Sequence, residues 1–370
     1  MPERRTPSRP SRAVRQPADH EALDGLLHEL NIDPPGRPEY ELVSRWAAKH
    51  VWKVSVGGRP YAFVRYLLGP ADRYSDRWRH LRLGVELFEA HIGPRVLGMT
   101  TASESLGGRA AIVEAALAPI SRDALENRAE EAVGLMARLH GCIPLHAALS
   151  VDLTEADREG FSPLDNLFDE TRERWFEALA ARWLEAGIPY VEEATGVAGE
   201  LMTALQSIEH DGQRISIVVP AHNDPNHGNF MTNRNGALRM VDFEGLALSN
   251  PVADLGIFLT WYVDKDRHLE VLQHYPLAEP EAIIDRMRVW VPLRYLNLAA
   301  HWAGRYSRAR DREALEFAAN SVDEWLRGAA ELLYDDEPAP DGLFERLDGL
   351  HEHLLELGEP PSEESAEYDG

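Results

Sequence analysis

The sequence predicts a two-lobed α+β protein, a small β-rich N-lobe and a larger mainly helical C-lobe, and three observations carry that expectation. Up to residue 118 the apolar runs are short and several alternate with polar positions, which is strand spacing. After Pro119 the pattern changes to long segments with apolar residues every three or four positions, which is helix spacing. One β-rich island, 214–242, interrupts the helices, and 370 residues suffice for two units with cores of their own.

The chain opens with MPERRTPSRPSRAVRQ, rich in Arg, Pro and Ser and without an apolar stretch behind it. Residues 1–18 therefore read as a disordered basic tail rather than a secretory signal, with a basic contact arm as the other reading. ALDGLLHELN (22–31) suits a short helix closed by the turn IDPPGRP. HVWKVSVGGRPYAFVRYLL alternates on both sides of Gly57-Gly58, the signal of a hairpin. SDRWRHLRLGVELFEAHIG has helical spacing and ends at Gly93-Pro94, and PRVLGMT and RAAIVEAA are short β-like runs. These elements make 19–118 the small lobe. Helical patterns at 121–140, 168–186, 195–209, 279–303 and 311–334 make 119–350 the large one. Inside the island, FMTNRNGALRMVDF reads as a second hairpin around Asn235-Gly236, the dipeptide best suited to a type I′ turn. The end of the chain, 351–370, is acidic, has almost no apolar residues and reads as a disordered, solvated tail.

Composition excludes several function classes. A formal net charge of -24 repels phosphate backbones, so nucleic acid is not the expected partner. No apolar run reaches the roughly 18–20 residues that span a bilayer, so no membrane association is expected. Cys142 is the only cysteine, which forbids an intramolecular disulfide and suits a reducing, cytoplasmic setting. A nucleophilic thiol there needs a partner base; plain packing is the simpler reading. Oligomeric state is not written in the sequence.

The densest chemistry is the loop AHNDPNHGNF, 221–230, between the apolar run ISIVVPA and the segment ending VDFEG. Transfer of a phosphoryl group from ATP needs a carboxylate to orient the attacking hydroxyl and oxygen ligands for Mg²⁺. Asp224, then Asn229 five positions on, then Asp242-Phe243 after a hairpin supply those parts at the internal spacing of the kinase signature. Two histidines in the loop, His222 and His227, also invite a zinc reading, but they lack metalloprotease spacing and a thiolate partner.

HNDPNHGN and VDFE resemble the H-x-D-x-x-x-x-N and I-D-[WF]-E motifs of the aminoglycoside phosphotransferase and choline kinase family, which has a protein-kinase-like fold. SNPVADLG resembles that family's downstream Asp near a helix start, and LMARLHG its L-x-x-L-H element. The resemblance covers roughly 40–310. It implies an ATP- and Mg²⁺-dependent phosphotransferase with Asp224 as catalytic base, Asn229 and Asp242 as Mg²⁺ ligands, His222 bracing the loop and Asp254 tethering its backbone. In the small lobe it implies that Arg65 contacts ATP phosphates, that Glu86 pairs with it, and that IVEAA, through Val113 and Ala115, is the hinge meeting adenine. The family's glycine-rich turn is replaced by SRWAAKHVW, where Ser44 or Lys49 could stand in for the missing glycines.

The other reading of Arg65 and Glu86 is a lobe-surface ion pair or two unrelated charges. The acceptor implied is a small-molecule alcohol, and the chain's negative charge together with Trp261, Tyr262, Tyr295, Trp302 and Tyr306 suggests a cationic one, with Glu244 or Asp264 as counter-charge. The same aromatics at helical spacing also suit a core, and His140 a packed helix end. Two rival readings remain at this level: a peptide-directed kinase of a biosynthetic pathway, and a pseudokinase that binds nucleotide or serves as a scaffold.

Overall fold

A computed structural model describes residues 17–45, 49–68, 83–150, 163–180, 188–211, 217–306, 312–335 and 338–355. Most of both expected tails, the centre of the Gly-poor turn at 46–48 and residues 75–82 of the first-lobe helix expectation lie outside them. So do the side chains of Lys49, Glu244, Tyr306, His351 and His353. The chain divides into two compact units, one of Met1–Asn127, Cys142–Leu145 and Asn226–Leu246, the other of Arg128–Gly141, His146–Pro225 and Ala247–Gly370.

In chain order the elements begin with α1 (Pro17–Glu29), β1 (Pro38–Arg45), β2 (Lys49–Val56), β3 (Arg59–Leu67), α2 (Gly84–Glu89), β4 (Val96–Ser103), β5 (Arg109–Ala115), β6 (Ala118–Pro119) and α3 (Arg122–Glu126). They continue with α4 (Ala129–His140), α5 (Ile143–Ser150), α6 (Pro163–Ala180), α7 (Ile188–Asp211), β7 (Val219–Ala221), β8 (Phe230–Thr232), β9 (Leu238–Met240) and β10 (Ala247–Ser249). The last are α8 (Val252–Tyr262), α9 (His268–Leu272), α10 (Pro280–Tyr306), α11 (Arg312–Leu333) and α12 (Leu343–Leu355). The fold is thus the expected α+β, a sheet-rich first region and a mostly helical remainder.

In the first unit β1, β2, β3, β5 and β4 form one antiparallel sheet in that order. The β2–β3 turn is Gly57-Gly58, both at positive φ, with Val56 paired to Arg59, so this is a type I′ hairpin. Strand alternation sends Trp52, Val54, Ala62, Val64, Tyr66, Ala111 and Val113 to one face, where they bury against Leu23, Leu26 and Leu27 of α1. Burying a Leu or Val side chain is worth about 1.5–3 kcal/mol, so this one helix accounts for much of the sheet's stability. By the same alternation Arg65, Ile112 and Glu114 face the other way, and that face carries the charged groups of interest.

The second hairpin departs from its expected turn. β8 and β9 pair from Phe230–Met240 to Thr232–Leu238, but Asn235 is not at positive φ and only Gly236 is left-handed. The Asn233 side chain accepts from the Asn235 and Ala237 N–H groups, and Gly236 N–H donates to the Asn233 carbonyl. That Asx turn favours ordinary right-handed geometry until the glycine, so a longer loop replaces the two-residue I′ turn.

In the second unit α10 is about 40 Å long and packs on α6, α8 and α11. The run 121–140 is broken at Asn127 and Arg128 into α3 and α4, and α12 continues to Leu355, past the expected boundary at 350. Among the described residues no single helix is long and apolar enough to cross a membrane.

Candidate active site

In the second unit the loop leaves β7, which pairs with β10, and enters His222, Asn223 and Asp224. Asp254 lies in the first turn of α8, whose start is set by SNPVAD: Asn250 Oδ1 accepts from the Val252 N–H and Pro251 supplies a helical φ. The fully buried Asp254 carboxylate accepts the N–H of His222 through Oδ2 and of Asn223 through Oδ1, each at 2.7 Å. Hydrogen bonds to a charged acceptor contribute about 1.5–3 kcal/mol each, so the two together hold the backbone just before Asp224. Asn223 is left-handed at φ 62, a strained state that Asn tolerates better than most residues. Asp224 itself is exposed.

His140, the last residue of α4, completes this network. Its Nε2 lies 3.0 Å from Asp254 Oδ2 and its Nδ1 3.0 Å from the Tyr275 hydroxyl, and all three side chains are buried. A neutral ring protonated at Nε2 satisfies both contacts, donating to the carboxylate and accepting from the phenol. Burial by itself would push the Asp254 carboxyl up, but the hydrogen bonds it accepts from the His140 ring and the His222 backbone hold it below the ordinary carboxylate value. Burial, then the Asp254 charge, push the Tyr275 phenol up, which keeps it a proton donor. The packed-helix-end reading of His140 was therefore incomplete. A second residue missed by sequence reasoning is Arg294 of α10, which donates to the Asn223 carbonyl at 3.1 Å. Its only signal was a lone charge within the apolar run VWVPLRYLNLAA.

In the first unit Asn226 accepts the Gly228 N–H and starts a 3₁₀ turn, His227–Asn229, that delivers Asn229, 7% exposed, to the foot of β8. The Val241 N–H donates to the Asn229 carbonyl at 2.9 Å, so Asn229 and Asp242 leave adjacent rungs of one ladder. Asp242 is exposed and left-handed, φ 64 and ψ 52, while the next residue, Phe243, is buried. An amide oxygen and a carboxylate are hard donors. Mg²⁺ is ordinarily held by one or two such protein groups, with substrate phosphates and water completing the octahedron. No three His, Cys, Asp or Glu side chains cluster among the described residues, and a Mg²⁺ site of this kind needs no such cluster.

Arg65 pairs with Glu114 at 2.5 Å, not with Glu86, and the two side chains are only 15% and 8% exposed. The register explains the substitution: Arg65 lies opposite Ile112, so Glu114, two residues on, is its diagonal neighbour on the same face. Glu86, half-exposed in α2, makes no ion pair among the described residues. Val113 sits between β3 and β4, paired with Val64 and Gly98, and the Ala115 N–H donates to the Arg95 carbonyl. Their backbone groups belong to the sheet interior or its end; Ala116 and Leu117 are the first residues beyond the strand.

The aromatic residues of the second unit pack mostly on one another. The Trp261 indole N–H donates to the Tyr295 hydroxyl at 2.8 Å, and both rings meet Trp325, Tyr295 edge-on at 4.8 Å. Tyr262 is buried beside Phe258, and the Trp302 ring is covered by the guanidinium of Arg305, 5.0 Å from its centroid. Helical spacing has here produced core and self-stacking, while Trp261 stays partly exposed.

The sequence model of the phosphotransferase enzyme family matches residues 45–290. Among solved structures, the fold is similar to an ethanolamine kinase of Plasmodium vivax, with TM-score 0.55, 13% identity, and 79% of this chain and 84% of that one covered. It is similar to a spectinomycin phosphotransferase in complex with ADP and spectinomycin (TM-score 0.54, 11% identity, 89% and 98% covered). An ADP-bound aminoglycoside phosphotransferase matches with TM-score 0.53 and 17% identity over 85% and 99% of the two chains.

Proposed function

The chain belongs to the phosphotransferase enzyme family, and from that premise we propose that it transfers the γ-phosphate of ATP to a hydroxyl group of a small molecule. One observation supports this reading above the others. The loop 222–224 is clamped by a buried carboxylate and ends in an exposed one, Asp224. A carboxylate carried on such a loop can orient an attacking hydroxyl and accept its proton.

In this reading Asp224 is the base, His222 and Asp254 keep its loop in place, and Asn229 and Asp242 hold Mg²⁺. Bound Mg²⁺ neutralises charge on the transferred phosphoryl group. Arg65 is the phosphate-binding cation, its fork oriented by Glu114, and the hinge role passes from Val113 and Ala115 to Leu117 and the Ala116 carbonyl, because the Ala116 N–H already donates to the Tyr61 carbonyl. For the acceptor we favour a cationic amino alcohol. The formal net charge of -24 and the partly exposed Trp261 support it, as do the ethanolamine and spectinomycin named for the similar proteins.

Titration calorimetry with ATP, with Mg²⁺ and then with EDTA, tests the nucleotide and metal together. Affinity should fall on chelation; binding indifferent to EDTA removes Mg²⁺ from the reading. A nucleotide-consumption panel then offers ATP or GTP with choline, ethanolamine, an aminoglycoside, neutral and anionic alcohols, and Ser/Thr peptides. Consumption with the cationic alcohols is expected. Turnover with peptides alone would make this a peptide kinase, and no nucleotide binding at all would make it a scaffold.

The Arg65–Glu114 pair yields a separate expectation. Arg65→Met should weaken MgATP binding and also cost about 3–5 kcal/mol, because Glu114 is left buried without a partner. Adding Glu114→Gln removes that stranded charge, so the double variant should regain stability without regaining affinity. Recovery of both, measured by denaturant melts and calorimetry, would show that Arg65 serves the sheet alone.

A further inference from the structure

Asn223 precedes Asp224, so its carbonyl and the Asp224 amide form one peptide plane. Asp254 holds the N–H side of this short loop. The carbonyl side is held from another helix, where Arg294 Nη2 donates to the Asn223 oxygen at 3.1 Å. Arg294 is half-buried and makes no ion pair among the described residues; its other bond, Nη1 to Asn297 Oδ1 at 3.1 Å, also goes to a neutral oxygen.

Asn297 is fully buried, and its amide then donates through Nδ2 to Thr171 Oγ1 at 3.2 Å. The Thr171 hydroxyl, also fully buried, donates to the Leu167 carbonyl at 2.6 Å within α6. Every group in this chain has one consistent direction: α6 orients Thr171, Thr171 orients the Asn297 amide, and the amide oxygen orients the guanidinium. A charged side chain anchored so thoroughly to neutral partners is not a stabilising surface ion pair. Burial lowers the guanidinium's pKa, with Glu170 opposing, Arg174 adding to it, and Asp224 and Asp254 opposing; an arginine stays charged under such shifts.

We infer that Arg294, braced by Asn297 and Thr171, is a positioning residue that sets the orientation of the Asn223–Asp224 peptide and so aims the Asp224 carboxylate. The inference rests on the reading of Asp224 as the base. Without the guanidinium, the Asn223 carbonyl loses this hold, and the peptide that follows it is freer to rotate. A misplacement of about 1 Å at a reacting group costs up to roughly 100-fold in rate, whereas nucleotide binding, assigned to residues of the other unit, is unaffected.

The test uses the full chain and MgATP with water as acceptor, so no acceptor need be known. Arg294→Met should lower kcat for MgATP hydrolysis about 10- to 100-fold with KM for ATP unchanged, and should speed amide exchange in the segment 219–225. Arg294→Lys, which can still donate one hydrogen bond to the Asn223 carbonyl, should recover much of the rate. A residue that only filled volume would be replaced better by Met than by Lys. Unchanged kcat in Arg294→Met, or faster exchange throughout the unit with Met and Lys equally impaired, overturns the proposal. If the wild type turns over MgATP neither with water nor with any acceptor of the panel, the phosphotransfer reading is what fails. Exchange at 219–225 then decides the positioning role by itself: unchanged in Arg294→Met, it overturns the role.

Discussion

Asp224→Asn should abolish most turnover, lowering kcat by roughly 10²- to 10⁴-fold, the range ascribed to a positioned general base. The substitution keeps the shape of the side chain and removes only its ability to accept a proton as an anion. The fold should not notice, because Asp224 is exposed and the loop before it is held through the backbone of His222 and Asn223. Surface changes of this kind usually move stability by less than about 0.5 kcal/mol. MgATP affinity should persist as well, since the metal and phosphate ligands assigned here are Asn229, Asp242 and Arg65. The pair of measurements is steady-state turnover with the acceptor that responds in the panel, and calorimetric MgATP binding. Turnover like the wild type's would remove Asp224 from the chemistry, and a collapse of nucleotide binding would make it a metal ligand.

Asp254→Ala should cause the largest loss of stability of any single change at this site. It strands the His222 and Asn223 N–H groups and the His140 Nε2–H, and His222 and His140 are themselves buried. Breaking a buried charged network by removing one member costs about 3–5 kcal/mol, a large share of the roughly 5–15 kcal/mol that holds a domain folded. Asp254→Asn should cost less, because its amide oxygen can still accept one N–H, although its NH₂ then faces another donor. The effect must also depend on pH. The folded carboxyl titrates below its ordinary value of 3.8, so its contribution is complete above pH 3.8 and disappears as pH falls through the lower, folded-state value. Denaturant melts should therefore show a wide gap between wild type and Asp254→Ala at neutral pH that narrows in acid below pH 3.8. A gap that is absent at neutral pH, or that widens in acid, contradicts the network described here.

The parts of this protein legible in one dimension are those whose partners are close in sequence. The Gly57-Gly58 hairpin, the return hairpin to Val241, the spacing from Asp224 to Asn229, and the apolar periodicity of α7, α10 and α11 are all local patterns. The α+β class and the kinase-like resemblance followed from them, and the structure has that class. Local patterns misled where a second local interaction competed, as when the Asn233 side chain replaced the I′ turn expected of Asn235-Gly236.

What only the tertiary structure decided is which charges meet. Arg65 was assigned Glu86 by analogy, but strand register placed Glu114 beside it, and register depends on a pairing between segments 49 residues apart. His140 reaches Asp254 across 114 residues and Arg294 reaches Asn223 across 71, distances over which no periodicity or spacing rule carries information. The aromatic residues show the same limit from the other side. Helical spacing put Trp261 and Tyr295 on inward-looking faces, yet whether those faces met each other or an acceptor depended on how α8, α10 and α11 pack. Sequence by itself determined which groups are available and which local backbone shapes they can adopt. Their pairing was decided by packing, because a buried charge or polar hydrogen must find a partner in three dimensions whatever the separation along the chain.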